Sequence, residues 1–176
     1  MAANWTAFVA GDVLTAAQLN GVVDNFQDIA IFNETQASGT FGGAFSSGSW
    51  VKRTLNTTVV NNIASASLSS SVISLPAGTY SIFISTPAMQ VNGWQCRLAN
   101  TTDSLNYYGT SEFSNSSGNY VTNRSFLNTV LTIAGTTNFE VQQRCGTSTA
   151  QNWGLGYATS LGGSEVYSVI QITRIA

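Results

Sequence analysis

Ser71-Val72-Ile73-Ser74-Leu75-Pro76-Ala77-Gly78-Thr79-Tyr80-Ser81-Ile82-Phe83-Ile84-Ser85-Thr86 is the stretch whose reading decides the fold. Two runs rich in β-branched and aromatic residues flank Pro76-Ala77-Gly78, a turn in which proline fixes φ and glycine relieves steric constraint. The second run, from Thr79, reads as a buried strand. A little further on, Asn92-Gly93 lies between Ala88-Met89-Gln90-Val91 and Trp94-Gln95-Cys96-Arg97-Leu98. Asn-Gly favours a type I′ hairpin because both central residues need positive φ, so the flanking strands are expected to pair.

The same punctuation recurs after Trp50 at intervals of about ten residues, where Gly, Asn, Ser and Pro clusters separate short apolar runs. Residues 125–133, 138–145, 153–158 and 166–175 read as further strands and bring the total to about eight, the number of a jelly-roll sandwich. In the last of them, Val166-Tyr167-Ser168-Val169-Ile170-Gln171-Ile172, apolar residues fall on both parities. That pattern predicts cover on both faces, either by another subunit or by a long loop.

Ahead of the strands stands a different period. Thr15 is a good N-cap and Gln18 lies three residues on, a capping box that starts a helix near Ala16 and carries it to about Asn33. Leu19, Val22, Phe26 and Ile29 recur at alternating steps of three and four, the seam pattern of a coiled coil. A lone helix of under about 20 residues is marginal in water, and Gly21 weakens it by roughly another 1 kcal/mol. Its apolar face needs cover, by sister helices or by the chain's own β-domain. A Gly/Ser/Thr-rich linker at about 35–49 follows, with Phe41 and Phe45 able to plug into a neighbouring surface. The expected division is therefore a leader, helix and linker over 1–49 and a β-domain over 50–176.

Of the 176 residues, 8% are charged against a typical fraction of about 25%, and the net charge is −2. One lysine, Lys52, and scattered arginines form no basic stripe, which argues against nucleic-acid and membrane-surface roles. No apolar run approaches the roughly 20 residues that span a bilayer, and the opening residues lack the pattern of a secretory signal, so cytosolic synthesis is expected. Cys96 and Cys145 share parity with apolar neighbours and are expected to be buried. Cytosolic synthesis favours free thiols over a disulfide.

Without a single histidine the chain lacks the usual acid/base pairs, His-based triads and most zinc sites. No phosphate loop or metal-ligand cluster is present, and Gly154-Leu155-Gly156 lacks the context of a dinucleotide loop. A glycosidase-like carboxylate pair, such as Glu112 with Glu140, would have to be assembled by folding. The expectation is a non-enzyme with no cofactor and no metal. For binding, Tyr107, Tyr108, Phe113 and Tyr120 are interleaved with Asn, Ser, Gly and Thr, a composition suited to adaptable recognition and to sugar rings. Trp153 beside Gln151 and Asn152 is a second candidate.

Trp5, Gly11, Val13-Leu14-Thr15-Ala16-Ala17-Gln18-Leu19-Asn20 and Asp24-Asn25 resemble the opening of many bacteriophage tail-fibre and head-fibre proteins. Leu55-Asn56-Thr57, Leu75-Pro76-Ala77-Gly78-Thr79-Tyr80 and Cys96-Arg97-Leu98 resemble the TNF/C1q-type jelly-roll knobs that cap such fibres. The resemblance implies a homotrimer in the virion, assembled in the bacterial cytoplasm. Its leader, with Trp5 and Phe8, would attach to other phage virion proteins of the baseplate, tail or capsid. The Leu19, Val22, Phe26 and Ile29 seam would hold the three copies together, and the knob would present loops to a host surface glycan or protein. The alternative within the same resemblance is a capsid cement protein that stabilises the phage head.

Overall fold

The computed structural model describes Gly11, Val13, Thr15, Ala16 and residues 28–118 and 121–175. Leu19, Val22, Phe26, Trp5, Phe8 and Tyr120 lie outside the described residues. Ile29 does not, and it overturns part of the expected helix. Ile29–Gln36 is strand β1, in which Ala30, Phe32 and Glu34 are buried and Ile29, Ile31 and Asn33 half-buried. The period of the sequence switches to two at Ile29, and pairing on both sides fixes the strand in place of a helical turn. Ile29 thus faces Thr173 across a β-ladder and is not a seam residue of a helix.

Ten more strands follow: β2 (Val51–Lys52), β3 (Thr57–Asn61), β4 (Ser67–Ser69), β5 (Val72–Leu75), β6 (Gly78–Met89), β7 (Asn92–Asn100), β8 (Leu105–Ser114), β9 (Thr122–Ile133), β10 (Thr137–Cys145) and β11 (Glu165–Arg174). They form two antiparallel sheets. One runs β3-β1-β11-β6-β9; the other runs β4-β5-β10-β7-β8, with β2 also on β10. The expected all-β jelly-roll sandwich is what the chain forms, with more and shorter strands than about eight.

Alternation explains which faces meet. In β10, Phe139, Val141, Gln143 and Cys145 point inward while Asn138 and Arg144 are exposed. Phe32, Ile82, Ile84 and Ile170 of the first sheet pack against Ile73, Leu98, Phe139 and Val141 of the second in one core. A smaller cluster of Phe45, Ala88, Val91, Trp94, Cys145 and Leu155 closes one end. Both cysteines are buried and free.

The Asn92-Gly93 hairpin is not formed. β6 pairs with β9 and β11, whereas β7 pairs with β8 and β10, so the chain crosses from one sheet to the other between Met89 and Asn92. Gln90 and Asn92 both adopt φ 57°, and Val91 is fully buried at the corner. The corner thus takes positive φ at Gln90 and Asn92, where the expected type I′ turn needs it at Asn92 and Gly93, and the side chain of Asn92 anchors it. Its Nδ2 donates to Thr147 Oγ1 at 2.7 Å, and its Oδ1 accepts from Ser116 N at 3.1 Å. The apolar faces of β6 and β7 then pack face to face, where edge pairing would have exposed one of them.

Two further expectations change. Residues 153–158 form a turn and irregular chain with no strand, because their backbone bonds go to the segment read as a flexible linker. Gly42 N donates to Gly156 O, Gly43 N to Asn152 O and Leu155 N to Gly43 O, while Phe45 and Thr149 exchange two bonds. A Cβ on Gly42 would lie 2.7 Å from Leu155 O. These glycines permit close backbone approach and do not loosen the chain. The sandwich consequently begins at β1, well before the boundary expected near residue 50, and takes in Phe45 as core.

Candidate functional site

The two sheets turn very different faces outward. On the first, three cross-strand rows follow from the register: Val169-Ser85-Phe126, Ile31-Gln171-Phe83-Asn128 and Ile29-Thr173-Ser81-Val130. Phe83 and Phe126 are exposed with ring centroids 6.1 Å apart in a stacked arrangement, and Val130 is 60% exposed. This open face, on which apolar and polar residues are mixed, bears on the expectation that β11 is covered on both sides. Tyr167 is buried there, with its hydroxyl donating to Thr40 O at 2.6 Å, but Val169 is only half-buried. Loops cover one end of the face and leave the middle open.

On the second sheet the outward face is polar, aromatic and cationic. Tyr108 lies opposite Arg97 in the β7–β8 ladder, and the Arg97 guanidinium sits 4.1 Å over the ring of Trp50. Trp50 and Tyr108 are 5.8 Å apart, so Arg97 and two aromatic rings form one platform. Gln142 Oε1 accepts two bonds from Arg97 and fixes its plane. Lys52 pairs with Glu140 at 3.2 Å on the same sheet. Three of the six basic residues, Lys52, Arg97 and Arg144, thus sit on this sheet.

Of the residues singled out from sequence, Tyr108 (57% exposed) and Phe113 (63% exposed) lie on β8 and are open to solvent. Tyr107, one residue from Tyr108, turns the other way and packs on the main core. Trp153 belongs to a separate cluster, 5.9 Å from Phe41 and 6.2 Å from Tyr157, and donates from Nε1 to Gln90 Oε1 at 3.1 Å. Trp50, Arg97 and Arg144 were not among the sequence candidates. The only hint was Trp50 standing just before the first β-like run, and the cross-strand stack that gives it a role is a tertiary contact. Glu112 and Glu140 are not brought together. Glu112 pairs with Trp94 and Glu140 with Ala99, so β7 and five residues along it separate them.

One carboxylate serves the loops near the Trp153 cluster. Glu165 Oε1 accepts from Ser160 N at 2.8 Å and Gly39 N at 3.1 Å, and Oε2 accepts from the backbone N and Oγ1 of Thr159. These backbone amides pull its pKa down to about 2 from the ordinary 4.5. A depressed carboxylate stabilises the fold above its unfolded pKa, and that contribution is lost as pH falls through the folded value. Glu165→Gln is therefore expected to lower the thermal midpoint by a constant amount above about pH 4.5, with the gap to the native chain narrowing toward pH 2. Melting both proteins across that range checks it; a gap unchanged at pH 2 would show that the ionised form is not what the amides hold.

No family model matches the sequence, and no curated protein matches it either. Solved structures do. The globular domain of zebrafish complement 1qA protein is similar over 84% of this chain and 95% of its own length, at 13% identity and a TM-score of 0.50. Eiger TNF from S. frugiperda is similar over 84% and 92% at 14% identity and a TM-score of 0.48. Murine APRIL is similar over 82% and 97% at 7% identity and a TM-score of 0.48. The chain has a TNF/C1q-like jelly-roll fold.

Proposed function

We infer that the chain is the receptor-binding subunit of a short bacteriophage tail fibre, a virion component assembled in the bacterial cytoplasm as a homotrimer. The observation that carries this reading is the contrast between the outward faces. An open face with the exposed Phe83–Phe126 stack and Val130 set among Gln171, Asn128 and Ser81 calls for a partner surface, since exposed aromatic clusters rimmed by polar residues mark association sites. The opposite sheet, with its exposed aromatics, neutral hydrogen-bonding groups and cations, has the composition of a recognition surface. The phage-fibre resemblance of the residues before Asn25 supplies the choice of three copies and of a virion attachment by the leader.

In solution the protein is expected to have the mass of three chains by light scattering. Phe126→Asp should shift it toward a single chain, because a charge would be buried at the contact. Purified protein should also compete with phage for host cells. A native protein already monomeric at micromolar concentration would remove the assembly half of the reading. Failure to block adsorption, together with restored heat stability of capsids lacking the protein, would replace the adhesin by a cement protein.

A further inference from the structure

A pocket of about 300 Å³ opens on the outer side of the first sheet, where Arg124 of β9 lies beside Pro87 of β6 and Tyr167 of β11. Its walls share one face. Thr122, Arg124 and Phe126 alternate along β9 with the buried Ser125 and Leu127, while Pro87 and Tyr167 continue the outward parity of Ser85 and Val169. β6 and β11 pair only as far as Ser85 with Val169, and Pro87, two residues on, has no N–H to continue the ladder. Arg124 reaches across β6 and supplies donors there instead. Its Nε donates to Ser85 Oγ at 2.7 Å, and its Nη2 to Ser85 O at 3.3 Å and Tyr167 O at 2.5 Å. These bonds hold the guanidinium in place and leave Nη1 without a partner among the described residues.

Every acceptor that Arg124 meets is neutral, and no carboxylate lies within ion-pair distance of it among the described residues. Glu34, on the inner side of the same sheet, is already paired with Arg53. Glu165 borders the pocket, but both its oxygens are taken up by Ser160, Gly39 and Thr159. Burial lowers the Arg124 pKa, and the charge of Arg53 lowers it further, so a half-buried cation faces a second cation across the sheet. A negatively charged acceptor offsets both effects. A second donor stands two residues away on the same face. Thr122 Oγ1 donates only to Met89 Sδ at 3.6 Å, a weak acceptor that an oxygen displaces. Around these donors Pro87 and the exposed Val166 and Tyr157 side chains form an apolar wall.

We propose that this pocket binds a small monocarboxylate with an apolar body. One carboxylate oxygen accepts from Arg124 Nη1 and the other from Thr122 Oγ1, while the carbon skeleton packs on Pro87, Val166 and the Tyr157 ring. The volume is at the small end for ligand sites, so a single branched acid fits and a long chain does not. Free acids and the end residue of a peptide both present this chemistry, and the test separates them. The pocket lies on the first sheet and the Trp50 platform on the second, so the inference is independent of the adhesin reading.

The test titrates isovalerate, N-acetyl-leucine and isovaleramide into the full chain at constant ionic strength, following the backbone amide signals of Thr122, Arg124 and Tyr157 by NMR. Saturable shifts with the acids and none with the neutral amide are expected. Tighter binding of isovalerate points to a free acid as the ligand, and tighter binding of N-acetyl-leucine to the end of a peptide. Arg124→Gln should weaken binding about tenfold, as for a lost charge-assisted bond. Because Arg124 also holds Ser85 and Tyr167, Thr122→Val at an exposed position gives a second reading, about threefold weaker binding by a chain that melts as before. Arg174→Gln, the same charge change elsewhere on the first sheet, should leave binding unaltered. No saturable binding of either acid, equal binding of the amide, or equal weakening by Arg174→Gln would each overturn the proposal. So would binding that neither Arg124→Gln nor Thr122→Val reduces. The titration involves no cells, so its failure leaves adsorption blocking to be judged separately.

Discussion

Arg53→Met is expected to destabilise the sandwich by about 3–5 kcal/mol at neutral pH, the range for stranding one member of a buried ion pair. Arg53 is fully buried and Glu34 almost so. Its Nε donates to Glu34 Oε2 at 2.7 Å and to Ser168 Oγ at 2.8 Å, Nη1 to Gln143 Oε1 at 2.9 Å, and Nη2 to Leu155 O at 2.9 Å and to Glu34. Gln143 passes the network on, donating to Thr86 Oγ1 and Pro87 O. Glu34 and Ser168 belong to the first sheet and Gln143 to the second, so one guanidinium ties the two layers at a fixed relative position. Burial lowers the Arg53 pKa, and the charge and hydrogen bond of Glu34 work against that shift.

The size of this effect comes mainly from the groups left behind. Methionine fills the space but leaves Glu34 with only Ser168 Oγ as donor and leaves Gln143 and Leu155 O short of a partner. Removing both charges avoids that penalty. Arg53→Met with Glu34→Leu is expected to recover most of the loss, because a well-packed apolar pair often equals a buried ion pair in stability. Urea unfolding of the three proteins, with unchanged m-values, measures the coupling. A single variant within about 1 kcal/mol of the native chain would mean that water reaches the network.

Nothing near Arg53 announces this role. Lys52-Arg53-Thr54 reads as a polar strand end, and burial follows only from Glu34, Gln143 and Ser168 arriving from distant parts of the chain. β6 and β10 were legible because period-two alternation is a local signal that the sandwich keeps. β1 was not, since Ala16 to Asn33 carries a helical spacing that persists up to Ile29, where ladder bonds to Thr173 and the neighbouring strand override it. Asn92-Gly93 marked a change of chain direction but gave neither the pairing nor the full turn conformation: Asn92 has positive φ, yet its partner in that conformation is Gln90 and not Gly93, because the chain there passes between sheets. The same division runs through the candidate site. Tyr108 and Phe113 could be picked out by composition, but Tyr107 could not be separated from them without the β8 register, and the Trp50–Arg97 stack exists only across strands.

Gly156→Ala should produce the second large loss, about 2–4 kcal/mol, from two costs that add at one position. Gly156 has φ +146°, a conformation that L side chains rarely adopt, and a Cβ there would lie 2.2 Å from Tyr167 Cδ1 and 2.6 Å from Cε1. The ring has little room to retreat, because Tyr167 is buried and its hydroxyl is tied to Thr40 O. The strain should therefore pass into the loop that carries Trp153 and Tyr157 and loosen its bonds to Gly42 and Gly43. Tyr167→Leu removes the clashing ring atoms at the expense of the Thr40 bond. In the double variant the two losses should fall short of their sum by about 1 kcal/mol or more, the sign of a shared contact. Strict additivity in urea unfolding would locate the cost in the backbone alone. Since Phe41, Trp153 and Tyr157 meet only when this loop is seated, Gly156→Ala should also change the tryptophan emission of a protein that still unfolds in one step.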